Sequence, residues 1–154
     1  MVGAPSVQPS TVQNLLRGSF AALGVTWLVG CSTSARHETI ALVAAMDRYQ
    51  RADNAAKGEL AQAVAALSCS DAQVCDAKRA CLAAIEPTAR ALALKDEVSA
   101  RIDDLQAKRL APDSLEAQTL PGKLDLASRL LNEGRARMPL CERLLADLRI
   151  ARGG

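Results

Sequence analysis

Aromatic side chains are almost missing from this 154-residue chain, which has one Phe, one Trp and one Tyr. Large rings usually fill a thick globular core. Their scarcity excludes such a core and leaves Ala, Leu, Val and Ile to fill a thin seam between helices. Histidine is as scarce, with His37 alone, and no Cys-x-x-Cys pair occurs, so the common zinc and thiol-redox patterns are lacking. There is no Gly-rich phosphate loop and no nucleophile motif beside His37. With no convergent set of reactive groups, the chain is expected not to be an enzyme and to carry no catalytic residue, metal or dissociable cofactor. An excess of one charge is lacking too, because 19 Lys and Arg face 17 Asp and Glu. That balance provides no concentrated basic face, and no nucleic-acid partner is expected. Finally, no apolar run reaches the roughly twenty residues a helix needs to cross a bilayer.

One shorter apolar run does stand out. Gly18–Gly30 is about thirteen residues long and follows Arg17, the only charged residue before Cys31. A basic residue, a short apolar stretch and small residues before a cut form the pattern of a secretory signal. A buried helix would instead have to carry Gly18, Gly24 and Gly30, each costing about 1 kcal/mol relative to Ala.

The run closes on Leu28-Val29-Gly30-Cys31, which resembles the lipobox of bacterial lipoproteins. The resemblance covers about residues 15–32. It implies cleavage between Gly30 and Cys31, with a diacylglycerol on the Cys31 thiol and a further N-acyl chain such as palmitate. Several buried acyl chains hold a protein to a membrane effectively permanently. Ser32 rather than Asp follows the cysteine, which implies the outer membrane, facing the periplasm. Residues 1–14 are uncharged, unlike most signal starts, and a true start at Val7, Val12, Leu15 or Leu16 is expected.

The implied cut removes Phe20, Trp27 and Arg17. It leaves Tyr49 as the only aromatic, and 18 of the 19 basic residues against the 17 acidic ones. The expected organisation is a signal peptide over 1–30, a lipidated N-terminus and short tether over 31–38, and one helical domain over 39–152.

Apolar spacing beyond the tether is helical almost everywhere. Leu42, Met46 and Tyr49, then Leu60, Val64 and Leu67, follow three-four spacing. The intervening Arg51–Gly58 stretch is weakly apolar, and a bend there is left open. Ser70-Asp71-Ala72-Gln73 fits a capping box, with Ser70 as N-cap. A near-heptad stripe then runs through Val74, Ala77, Cys81, Ile85, Leu92, Val98, Ile102 and Leu105, with a kink or restart expected at Pro87. Ala111-Pro112 breaks the chain, and a second break at Leu120-Pro121-Gly122 is left open. A third region carries Leu124, Leu130, Met138, Cys141, Leu145 and Leu148, and Pro139 either kinks it or opens a final helix. The expected fold is all-α, an elongated three-helix up-down-up bundle or coiled-coil-like arrangement stapled by disulfides.

Four cysteines remain after Cys31: Cys69, Cys75, Cys81 and Cys141. In an exported protein an even number implies two disulfides. Six residues of helix rise about 9 Å, beyond the roughly 7 Å a bridge tolerates, which argues against Cys75–Cys81. Cys69 and Cys75 flank the Ser70 turn, while Cys81 and Cys141 are equidistant from a turn at Ala111. Pairing Cys69 with Cys75 and Cys81 with Cys141 is therefore favoured, with Cys69–Cys81 and Cys75–Cys141 as the alternative.

Met46, Met138 and Tyr49 lie on apolar stripes and read as core. Arg48/Arg51, Asp103/Asp104 and Arg135/Arg137 read as solvated surface. The function expected from these features is that of a non-enzymatic envelope lipoprotein, held to the membrane by its lipid. It would act as a helical adaptor through a protein partner or self-association. The alternative is an envelope stress-response lipoprotein binding a ligand or metal, with a small pocket where Gly58, Gly134 or a proline loosens the helices.

Overall fold

The computed structural model describes residues 29–152, with side chains from residue 33 onward. The described residues are helical, with no strand among them, and form α1 (Val29–Arg51), α2 (Lys57–Ala66), α3 (Ala72–Gln106) and α4 (Leu115–Arg152). There are four helices where three were expected, because the first helical region splits. Asp53 is the reason. Its carboxylate accepts the Ala56 N–H at 3.0 Å, offering the backbone a turn in place of continued helix. Lys57 then ties the corner together. Its ammonium donates to the Tyr49 carbonyl at 2.9 Å, one of those left open at the end of α1, and lies 4.7 Å from the Tyr49 ring centre.

The cap of α3 falls one residue later than expected. Asp71 is the N-cap, accepting from Gln73 N–H at 3.0 Å and Val74 N–H at 3.2 Å. Ser70 is engaged by α1 instead. Its N–H and hydroxyl donate to the Glu38 carboxylate at 2.9 and 2.7 Å, so a partner distant in sequence displaces the local capping box.

Among the described residues, no proline within a helix ends it. Pro87 lies inside α3, and Pro121 and Pro139 lie inside α4. α4 therefore begins at Leu115, with no break at Pro121-Gly122. The Ser114 hydroxyl caps it by accepting the Ala117 N–H at 3.2 Å. A helical proline frees the carbonyl four residues earlier. For Pro87 that is Ala83, and Arg137 reaches across from α4 to donate to it at 3.3 Å. The α3–α4 turn closes with the Arg109 N–H on the Asp104 carbonyl at 2.8 Å and the Lys108 N–H on the Leu105 carbonyl at 3.1 Å. This is the double hydrogen bond that usually takes a left-handed glycine. Here Lys108 takes that conformation, with φ 56°.

Packing follows from these corners. α3 and α4 form a long antiparallel hairpin, joined by Lys123–Glu97 and Arg101–Glu116 ion pairs near the turn and by Arg152–Asp71 at the base. α1 runs beside it in the direction of α3, from Glu38 at Ser70 to Tyr49, whose hydroxyl donates to the Ile85 carbonyl at 3.4 Å. α2 returns toward the start of α3. The main core draws on all four helices, with Leu42, Met46, Val64, Val74, Ile85, Leu145 and Leu148 among its buried residues. A second cluster, Ala91, Ala127 and Leu130 with Leu94, Leu126 and Leu131 against it, comes from α3 and α4 alone. The molecule thus has two tiers, a four-helix base and a two-helix tip. In the tip Ile102, Leu115 and Leu124 are exposed.

Gly134 sits between the tiers. A Cβ there would stand 2.3 Å from Thr88 Oγ1 and 2.6 Å from the Ala84 carbonyl oxygen. The missing side chain lets α3 and α4 approach closely and leaves no looseness at this position.

Candidate functional site

The Leu28 position of the proposed lipobox and residues 1–28 of the proposed signal peptide lie outside the described residues. Val29, Gly30 and Cys31 are in the first turn of α1. The expected tether, residues 32–38, is helical and belongs to the same helix. Ala35 is buried, and Glu38 reaches the start of α3. Cys31 therefore continues without interruption into a helix that packs on the base of the bundle.

The other four cysteines form two disulfides. Cys69 in the α2–α3 turn is bonded to Cys75 in the first turn of α3, with a Cα–Cα distance of 5.3 Å. Cys81 of α3 is bonded to Cys141 of α4 across the hairpin, at 4.6 Å, and both are fully buried. Lys78 adds a second tie beside the Cys69–Cys75 corner. Its ammonium donates to the Ala65 carbonyl at 2.7 Å and to the Leu67 carbonyl. Among the described residues no three His, Cys, Asp or Glu side chains gather as a metal ligand set.

A polar network joins three helices at the base. The Glu38 carboxylate accepts from Ser70 N–H, Ser70 hydroxyl, Asp71 N–H and Ser34 hydroxyl. The Ser70 bonds, backbone first, hold its pKa below the usual carboxylate range. Asp71 uses one oxygen to cap α3 and the other to accept from Arg152 at 2.7 Å. The Arg152 guanidinium is the main cause of its lowered pKa. A charged donor or an open helix N–H stabilises the ionised form of each acid. With their oxygens engaged by backbone N–H, hydroxyl and guanidinium donors from different helices, the two carboxylates act as a clasp.

The charged pairs noted in the sequence are not brought into one site. The Arg48 side chain donates to the Ala44 carbonyl in its own helix. Asp104, at the tip, accepts from Arg109 and Arg101, which lower its pKa in that order. Arg137 pairs with Glu133 at 2.9 Å besides serving Ala83. Met46 and Tyr49 are buried in the core, where burial pushes the Tyr49 hydroxyl pKa up, and Met138 packs on its edge.

Sequence reasoning missed a groove between α1 and the end of α4, about 260 Å³ in volume. Ile40, Val43 and Ala44 line it on α1, while Arg36, Arg149 and Arg152 stand over it. The signal was present as a second apolar stripe on α1, outside the Leu42-Met46-Tyr49 stripe. A further groove between α2 and α3, about 360 Å³, has Ala at half of its lining positions and includes Gly58. No helix among the described residues is long and apolar enough to cross a membrane. Comparison with protein-family models, with curated proteins and with solved structures found no match.

Proposed function

We propose that the chain is a cell-envelope lipoprotein, acylated on Cys31 and held at the outer membrane facing the periplasm. In this reading it has no enzymatic activity and works as an elongated, coiled-coil-like helical adaptor for a protein partner or a second copy. The observation that carries the reading is the pairing of two ends. At one, Cys31, which closes the sequence Leu28-Val29-Gly30-Cys31, lies in the first turn of α1; at the other, the α3–α4 tip extends past the main core with Ile102, Leu115 and Leu124 exposed. The base would serve as anchor and the tip as the surface offered away from the membrane. An exported, envelope location also accounts for two disulfides in so small a protein.

Cell fractionation tests the anchor. The wild-type protein is expected in the membrane fraction and labelled by palmitate, whereas Cys31→Ala is expected to be released with its helical content and melting unchanged. Equal membrane association of the two would refute it. The second reading, a ligand-binding envelope lipoprotein, draws support from the arginine-rimmed groove on α1 and α4.

A further inference from the structure

We propose that the groove between α1 and α4 binds an anionic single-chain lipid. One linear alkyl chain would lie along Ile40, Val43 and Ala44, and its charged headgroup would be held by Arg36 beside Arg152. The floor supplies the apolar half of this chemistry. Ile40 is 56% exposed although it borders a concave surface, which is an unfavourable place for an unpartnered aliphatic side chain. Thr39 beneath it is buried, and its hydroxyl is already spent on the Ala35 carbonyl at 2.9 Å, so it adds no free polar group to the floor. A volume of about 260 Å³ lies just under the roughly 300–1,000 Å³ typical of small-molecule sites. That suits one alkyl chain better than two.

The rim supplies the charged half. Three arginines face one acid, Asp47, so the lining carries a surplus of positive charge. Arg149 is occupied by Asp47 at 3.1 Å and Arg152 by Asp71 at 2.7 Å. Among the described residues Arg36 has no ion-pair partner. A guanidinium presents a planar fork of donors suited to a carboxylate or phosphate. Arg36 lies five residues after Cys31, about 7.5 Å along the helix. The ligand chemistry follows from the groove itself. Only the source of the lipid, the membrane holding the anchor, rests on the lipoprotein reading.

Isothermal titration of the full chain carrying Cys31→Ala, with dodecyl phosphate below its micelle concentration, tests the proposal. Dodecyl maltoside and inorganic phosphate serve as separate probes. Saturable binding of dodecyl phosphate at one site per chain is expected, with much weaker binding of either control. Arg36→Glu should weaken it about tenfold or more, the loss of one charge-assisted contact, and Ile40→Asp should abolish it. Both side chains are exposed, and an unchanged melting curve would show that each variant remains folded. Equal binding of dodecyl maltoside would overturn the role of charge. Equal binding of inorganic phosphate would overturn the role of the chain. Unaltered binding by both variants would place the site elsewhere and sink the proposal. Because the protein titrated has no lipidated cysteine, failure of membrane anchoring in cells would leave a positive result standing, and a negative titration would leave the anchor reading intact.

Discussion

Breaking the two disulfides separately should cost very different amounts of stability. Cys81 and Cys141 are 60 residues apart, whereas Cys69 and Cys75 are 6 apart. A bond that closes a longer loop removes more freedom from the unfolded chain. The chain-entropy relation gives about 4 kcal/mol for the long loop and about 2 kcal/mol for the short one. The loops do not overlap in sequence, so the two contributions should nearly add. The comparison is cleanest in a Cys31→Ala background, where no fifth thiol can exchange. Replacing Cys69 and Cys75 by Ala gives the short-loop cost from the shift in a urea unfolding curve. Adding a phosphine reductant to that variant then breaks only Cys81–Cys141 and leaves its sulfur atoms in place, so no cavity confuses the result. Burial of both these cysteines further predicts that reduction will be slow until the protein unfolds, while the partly exposed Cys69–Cys75 bond will open in the native state. Equal losses, or a larger loss from the short loop, would refute the loop-entropy reasoning.

Two further outcomes follow from particular contacts. Gly134→Ala should destabilise by about 1–3 kcal/mol through overpacking, although Ala in a helix ordinarily gains about 1 kcal/mol over Gly. The Ala84 carbonyl at 2.6 Å is backbone and cannot swing aside; a raised melting temperature would show that the helices separate at little cost. The lowered pKa values of Glu38, Asp71, Glu97 and Asp104 predict an acid limb to stability. Groups whose pKa falls on folding stabilise fully above their unfolded values, about 4 for carboxylates. That contribution is lost as pH falls through the lowered folded values. Urea midpoints measured from neutral pH downward should therefore drop in acid, and Glu38→Gln should make the drop shallower; an identical profile in that variant would exclude Glu38 as a contributor.

Much of the helical design was legible because side-chain spacing is local. Leu42, Met46 and Tyr49, and later Val74, Ala77, Cys81 and Ile85, all lie in the core, as three-four spacing requires. The failures trace to interactions that spacing does not encode. Asp53 turned a weak stretch into a corner, and Glu38, 32 residues before Ser70 in sequence, took that serine from its expected cap. The break left open at Pro121 does not occur and Pro139 opens no new helix, since surrounding helix contacts can outweigh one missing hydrogen bond. At Pro87 the opened carbonyl even has a visible substitute in Arg137. The stripe positions Ile102 and Leu124 are exposed because their periodicity marks an apolar face without specifying whether another helix reaches far enough to cover it. The α1–α4 groove escaped for a related reason, since its two walls come from opposite ends of the chain.

The two-tiered hairpin has a mechanical consequence. It is a beam clamped at one end: the fully buried Cys81–Cys141 bond and two extra helices grip the base, while the tip has only its own pair of helices and their ion pairs. A sideways load at the tip would be carried as bending, with the greatest moment where α1 and α2 leave off, near the close contact of Gly134 with Ala84 and Thr88. A load applied there would therefore act on a lever whose fulcrum is a glycine and whose root is covalently bolted.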